Sequence, residues 1–292
     1  MCPVCKKNNS KVLGLPEIGS KAARITTKNY QVVQCLTCET YYVEPEINFT
    51  KEEWAVLYDE EYFAPMSKWY YKNRENDRKK RFDKLFSFCQ KPVLNFLDVG
   101  CGEGYSLIEA EKREWKAYGN DITDNRIAQA KKDSITFNFG KLTDIDYPDN
   151  FFDIVYVDSV LEHVVNPDDY LFKIYKILKK GGMVYIGVPN EDSLLNDFKE
   201  IFYLLKGKKF SSKLKPFETP YHVVGFNKNS LKYSLLRNKF AIKELRNFAC
   251  RVEFMKNQFL SKYFFHSLAL LPIYVLAVPL RKEVYLEVYA QK

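Results

Sequence analysis

Apolar positions along the chain change period more than once. Between Asn29 and Cys35 they alternate through Tyr30, Val32 and Val33, as a strand of a small ribbon hairpin requires. From residue 93 onward, short apolar runs give way to stretches of helical period, and the alternation repeats. Val93–Val99, Trp115–Asp121, Ile135–Phe139, Phe152–Val157 and Met183–Val188 read as strands. Ser106–Arg113, Asn125–Lys132 and Asp168–Leu178 read as helices, with a Gly181-Gly182 turn before the fifth strand. Strands and helices alternating at these lengths predict an α/β fold with a parallel, doubly wound sheet. Ligands of such sheets sit outside the carboxyl ends of the strands.

Further elements flank this core. Tyr41-Tyr42-Val43-Glu44-Pro45 and Glu52–Phe63 read as an aromatic-rich connector. A charged helix is expected from about Met66 to Phe88. Its face of Trp69, Tyr70, Phe82, Leu85 and Phe86 would pack on a sheet, while Lys79, Lys80 and Arg81 stay in water. After the fifth strand, Phe198, Ile201, Phe202, Leu204 and Leu205 recur at helical spacing among Lys199, Lys206, Lys208, Lys209, Lys213 and Lys215. A basic amphipathic stretch of this kind reads as a lid over an acceptor or as a membrane-surface helix. A helix at Asn229–Leu236, a strand at Phe240–Leu245 and an alternating closing strand at Glu283–Ala290 complete the chain. The expected organisation is a metal-binding module at 1–48, a helical connector at 49–92 and a catalytic domain at 93–292. That domain would carry a lid insertion at 196–222 and an apolar excursion at 254–282.

Tyr263–Leu280 is an apolar run of the length at which membrane spans begin, but it contains His266, Ser267, Pro272 and Pro279. A closing strand must return on the same side of the sheet, so a single span is rejected. The run either packs on the domain or forms an apolar hairpin, broken at Pro272, that dips into one leaflet. The first apolar residues are interrupted by Cys2, Cys5, Lys6 and Lys7, which is not the pattern of a cleavable signal peptide. The cytoplasm is the expected location, with peripheral contact on the inner face of the membrane through 254–282.

Charge refines this picture. The formal net charge of +8 resolves into +3 over residues 1–90, −6 over 91–195 and +11 over 196–292. A basic protein with an acidic middle is not a uniformly basic nucleic-acid coat, so nucleic acid is not the expected partner. The basic end points to an anionic acceptor, either a small molecule or lipid-linked, or to an anionic membrane surface. Oligomeric state is not legible.

The seven cysteines include two C-x-x-C pairs, Cys2-Pro-Val-Cys5 and Cys35-Leu-Thr-Cys38. Two such knuckles supply the tetrahedral four-thiolate shell of a structural Zn²⁺, closed and therefore not catalytic. Asp98-Val99-Gly100-Cys101-Gly102-Glu103-Gly104 follows the first strand of the α/β core. It lacks the third small residue of a dinucleotide fingerprint, because Tyr105 follows Gly104, and no P-loop lysine is present. Asp121 at the end of the second strand offers an acceptor-only carboxylate to a ribose diol. Close-approach glycines, a ribose acceptor and a net acidic domain fit a cationic nucleoside without phosphates.

These segments, with Phe152-Asp153-Ile154-Val155, Val160-Leu161-Glu162-His163-Val164 and Leu178-Lys179-Lys180-Gly181-Gly182, resemble the class I S-adenosylmethionine-dependent methyltransferases from about residue 93 to 190. The resemblance implies a Rossmann-like sheet with an antiparallel last strand and an S-adenosyl-L-methionine cofactor. It implies that Gly100, Gly102 and Gly104, with Cys101, Tyr105 and nearby Asp98, face the methionine and ribose part. Asp121, followed by Ile122, would hold the ribose, Leu142 would lie by the adenine, and Asp158, Ser159 and Val160 would line the methionine side. Many members carry an acid where Lys141 stands, so the adenine contact is expected from backbone groups.

Methyl transfer from a sulfonium needs alignment above all, and a base only for hydroxyl or carbon acceptors. Glu162-His163 resembles the acid–histidine pair of sugar C-methyltransferases that also begin with a four-cysteine zinc module. The pair is either orienting or catalytic. His222, in Thr219-Pro220-Tyr221-His222, either borders the acceptor pocket or pins its loop, and His266 is expected only to pack. The leading acceptor class is a sugar, nucleotide-sugar or lipid-linked glycan of bacterial surface polysaccharide synthesis. An rRNA or tRNA methyltransferase and a quinone or lipid O-methyltransferase are the alternatives.

Overall fold

A computed structural model describes residues 1–58, 62, 68–89, 94–248 and 262–292, with backbone alone for 68–73 and 262–267. The expected contributions of Trp69, Tyr70, Val93 and His266, and the excursion over 254–261, therefore lie outside the described residues.

The amino-terminal module is a four-stranded antiparallel sheet. Its strands are β1 (Ser10–Gly14), β2 (Gln31–Cys35), β3 (Tyr41–Glu44) and, from far along the chain, β9 (Val224–Gly225). The stretch read as an aromatic connector is thus a strand, and Tyr41, Tyr42 and Val43 are all buried in it. A short helix α1 (Lys51–Leu57) follows, started by a reciprocal Thr50–Glu53 capping box.

The second sheet has seven strands in the order β10-β11-β8-β7-β4-β5-β6. These are β4 (Asn95–Val99), β5 (Lys116–Asp121), β6 (Ile135–Phe139), β7 (Phe152–Asp158), β8 (Leu178–Pro189), β10 (Ala241–Phe248) and β11 (Tyr285–Gln291). Strands β4 to β8 are parallel, and β11 runs antiparallel between β8 and β10, as expected. Side-chain alternation divides the core between the two faces. Phe96, Ile154, Tyr156, Tyr185 and Tyr289 meet Phe82, Leu85 and Trp115 on one face. That side is covered by α2 (Lys68–Cys89) and α3 (Tyr105–Lys112), with Phe82 stacked on Trp115 at 5.3 Å. Leu97, Val155, Val157, Ile186 and Val288 form the other face with α4 (Pro167–Ile177) and α6 (Lys228–Arg237), continuous with the amino-terminal module.

Four expectations are corrected. Asn125–Lys132 is not a helix; only a 3₁₀ turn forms at Ala128–Ala130. Arg126 instead folds back to Asp124 and the Ala130 carbonyl and covers the Phe137 ring at 4.1 Å. Short-range side-chain bonds of this kind compete with helix formation. The Gly181-Gly182 pair lies within β8 and does not precede it. Arg81 is buried rather than wet. Finally, α7 (Lys262–Leu280) is one helix through Pro272, so of the two alternatives for this run the hairpin broken at Pro272 does not form. It lies against α5 (Leu194–Leu205).

The segment following α5 runs back over the amino-terminal module. Leu15 N donates to the Lys209 carbonyl at 2.7 Å, Gly19 N to the Phe217 carbonyl at 2.9 Å, and Tyr30 meets the Phe217 ring at 4.6 Å. Glu191, on the loop between β8 and α5, is buried and accepts from Asn196 Nδ2 at 3.0 Å. Burial pushes its carboxyl up to about 8; Lys213 and Lys199 oppose the shift, and Glu162 and Asp192 add to it. The folded state therefore binds a proton that the unfolded chain releases above pH 4.5. This stabilisation is complete below the unfolded value and is lost as pH rises through the folded one. Glu191→Gln should leave stability near pH 4 unchanged and raise it by about 1–3 kcal/mol at pH 9, measured as thermal unfolding against pH.

Candidate active site

The loop after β4 is built on three glycines in the left-handed region, Gly100 (φ +67°), Gly102 (φ +50°) and Gly104 (φ +80°). A Cβ on Gly100 would stand 2.5 Å from Val160 Cγ2, and one on Gly104 2.5 Å from Ala130 Cβ. A Cβ on Gly102 would meet nothing within 4 Å. The outer glycines are thus closed by protein, and the middle one faces open space, which is the cradle a ligand would occupy. Gly100 N and Cys101 N both donate to the Asn120 carbonyl, locking the loop to the end of β5.

Asp121 ends β5 and accepts from Gly102 N at 2.8 Å and Thr123 N at 3.3 Å. Burial raises its carboxyl, against the pull of these backbone donors. Ile122 beside it is 45% exposed, a free apolar surface at the mouth of the cradle. Asp98, at the end of β4, is buried, and burial with nearby Asp158 and Asp121 pushes its carboxyl far up. Cys101 is buried against Gly119, and Tyr105 opens α3 beneath Arg78, whose guanidinium lies 5.4 Å from the ring centre. Leu142 is wholly buried, so its backbone, not its side chain, is what a ligand could meet. Ser159 adopts φ +61° after β7 while its N–H donates to the Gly187 carbonyl, and this turn carries Val160 over Gly100.

Helix α2 supplies residues that escaped the sequence reading. Arg74, Arg78 and Arg81, at i, i+4 and i+7, reach the acidic edge of the sheet. Arg81 Nη1 lies 3.0 Å from Asp158 Oδ2 and its Nε 2.5 Å from Glu287 Oε1, while Arg74 lies 3.5 Å from Asp158. Arg246 and the Tyr185 hydroxyl complete the Glu287 contacts at 2.8 and 3.0 Å. Burial alone would raise the Asp158 carboxyl, but Arg81 and Arg74 outweigh it and hold it below the usual carboxylate range. The spacing of the three arginines was the available signal, hidden in a run that reads as a solvated face.

A second group lies beside this edge. Glu162 and His163 sit in a 3₁₀ turn at Leu161–His163, and Val223 N donates to the Glu162 carbonyl at 2.8 Å, bringing His222 against them. The two imidazole centres are 5.0 Å apart. Tyr58, Tyr62 and Tyr221 form the wall, with Tyr58 and Tyr62 rings 4.7 Å apart and Tyr62 stacked on Tyr221 at 5.7 Å. Burial pushes Glu162 up to about 8, and His163 and His222 down to about 4 and about 3, so both imidazoles are neutral at pH 7. The three expected catalytic residues therefore converge, and they do so within electrostatic reach of Asp158, while Tyr62 feels Asp121.

Far from this edge in sequence, Cys2, Cys5, Cys35 and Cys38 are all buried, with sulfur–sulfur distances of 3.5 Å (Cys2–Cys38) and 3.4 Å (Cys5–Cys35). Four sulfurs about 2.3 Å from one ion stand just under 4 Å apart, so the cluster fits a tetrahedral metal.

Residues 97–186 match the family model described as a methyltransferase domain. The chain is 35% identical over 103 residues to phosphoethanolamine N-methyltransferase 3 of Arabidopsis thaliana, covering 33% of this chain and 21% of that protein. It is 33% identical over 103 residues to demethylmenaquinone methyltransferase of Symbiobacterium thermophilum, covering 32% and 41%. The matched segment thus spans well under half the length of these curated relatives. In fold, the chain is similar to 1,6-didemethyltoxoflavin-N1-methyltransferase of Burkholderia thailandensis, with a TM-score of 0.52 over 88% of this chain and 97% of that one, at 13% identity. The sheet order and the glycine cradle are those of a Rossmann-like methyltransferase fold, and residues 97–186 within it match the methyltransferase domain model.

Proposed function

We propose that the protein transfers the methyl group of S-adenosyl-L-methionine to an anionic sugar, nucleotide-sugar or lipid-linked glycan in bacterial surface polysaccharide synthesis. The cofactor would lie over Gly102, with its ribose at Asp121 and its methionine carboxylate toward Arg74 and Arg78. Zn²⁺ held by Cys2, Cys5, Cys35 and Cys38 would be structural, tying together the module on which β9 and the returning segment rest. The observation that carries the acceptor side is the tyrosine-walled Glu162–His163–His222 cluster beside Asp158. Its neutral imidazoles, with free lone pairs, suit activation of an acceptor hydroxyl. His163→Ala and His222→Ala should each cut turnover about 10²-fold or more with cofactor affinity nearly unchanged. Full turnover in both variants would remove the two histidines from acceptor activation.

The lipid-linked form is favoured by the outer helices. Ile201, Phe202, Leu204 and Leu205 of α5 and Val275, Leu276 and Val278 of α7 are each at least 50% exposed. Exposed Lys206, Lys208, Lys209 and Arg281 adjoin them. No helix among the described residues is long and apolar enough to cross a membrane. An exposed apolar surface with a basic border suits the face of an anionic bilayer. Co-sedimentation with anionic vesicles at low salt should retain the protein and lose it in neutral vesicles; no binding to either overturns membrane contact. The same apolar layer favours, as a second reading, O-methylation of a quinone or lipid. Mass analysis of products formed with labelled cofactor and nucleotide-sugars, lipid-linked glycans, quinones or RNA decides between them.

A further inference from the structure

Glu162 is 1% exposed, and neither carboxyl oxygen has a hydrogen-bond partner among the described residues. A bare buried carboxyl is costly unless it keeps a proton or meets a cation. The ligand-capable atoms of Glu162, His163 and His222 lie within 4.8 Å of one another. Both imidazoles are half-buried, which leaves an approach for an ion. The Tyr58 hydroxyl lies 3.4 Å from His163 Nδ1, the kind of outer partner that orients a metal-bound imidazole. The backbone bond from Val223 N to the Glu162 carbonyl ties the two ligand-bearing segments together. Asp158 adds negative potential, while Lys215, which acts on His222, is itself paired to Glu218 at 2.8 Å.

We propose that Glu162, His163 and His222 bind a divalent transition-metal ion, separate from the cysteine cluster. Two imidazoles and one carboxylate suit Zn²⁺ and its first-row neighbours, and three protein ligands leave a position open. Ligands about 2.1 Å from such an ion stand roughly 3.4 Å apart, so the trio closes on it by small side-chain rotations. The role of the ion rests on the methyl-transfer reading above. It holds an acceptor hydroxyl and lowers its pKa, as zinc does for bound water. The hydroxyl proton passes to solvent, the oxygen forms its bond to the methyl carbon as the carbon–sulfur bond breaks, and the sulfonium leaves as a neutral thioether.

Full-length protein carrying Zn²⁺ in its cysteine cluster is titrated with Co²⁺ alone and dialysed. The expected result is about one Co²⁺ retained per chain, with weak visible bands and no sulfur-to-cobalt charge transfer, which marks a nitrogen and oxygen site. Glu162→Gln and His222→Ala should each abolish that retention, with thermal unfolding as the control for folding. Wild-type protein that retains no Co²⁺, or retains it only with charge-transfer bands, overturns the site whether or not the variants fold; so does retention unchanged in folded variants. Binding of S-adenosylhomocysteine and methyl transfer are measured on the same samples. Methyl transfer without Co²⁺ retention sinks the ion and spares the reading; Co²⁺ retention with neither cofactor binding nor transfer does the reverse.

Discussion

Arg81→Ala is expected to lower stability by about 3–5 kcal/mol, read from urea unfolding, because it leaves the buried Glu287 and the half-buried Asp158 short of a partner. Arg81 bridges Asp158 at 3.0 Å and Glu287 at 2.5 Å, and Glu287 is 1% exposed. Arg246 and Arg74 remain on the two acids and keep the loss from being larger. The effect should depend on pH. Asp158 is held below its unfolded value, so the stability it contributes is present above that value and is lost as pH falls through the folded one. The gap between variant and parent should therefore narrow below about pH 4. Replacing Arg81 by Met together with Glu287 by Gln should recover much of the loss, since an apolar or neutral pair removes the unpaired charge. A loss under 1 kcal/mol in the single variant would mean that water reaches this network.

The second large effect separates two glycines of the same loop. Gly102→Ala should fold, at a cost of about 1–2 kcal/mol for the left-handed backbone, and lose cofactor affinity about 100-fold. Its new methyl group points into the open cradle, where nothing lies within 4 Å. Gly104→Ala should do the opposite in proportion, with destabilisation dominant, because its Cβ would press to 2.5 Å from Ala130 Cβ. Calorimetry with S-adenosylhomocysteine and thermal unfolding, run on both variants, separate the two losses. Equal affinity in Gly102→Ala and the parent would place the cofactor elsewhere.

Much of the fold was legible because its signals are local. The C-x-x-C pairs, the glycines at 100, 102 and 104, Asp121 and the Glu162-His163 pair carry their chemistry in residue type and short spacing. Strand and helix periods placed most of the central sheet for the same reason. Asn125–Lys132 failed where period gave way to side-chain bonding, with Arg126 committed to Asp124, the Ala130 carbonyl and the Phe137 ring.

Contacts between distant segments were not legible. Lys79, Lys80 and Arg81 read alike in sequence, yet only Arg81 is turned onto Asp158 and Glu287, 77 and 206 residues away. Tyr58, Tyr62 and Tyr221 gain meaning only once they wall the histidines. The sequence by itself determined the class of sheet, the glycine loop after its first strand and the paired cysteines, because propensity, glycine conformation and thiol spacing act over a few residues. Only the tertiary structure decided which charges are buried, that His222 meets Glu162 and His163, and that the apolar faces of α5 and α7 are left uncovered. Burial, electrostatics and ligand geometry depend on distance in space, and chain separation does not encode it.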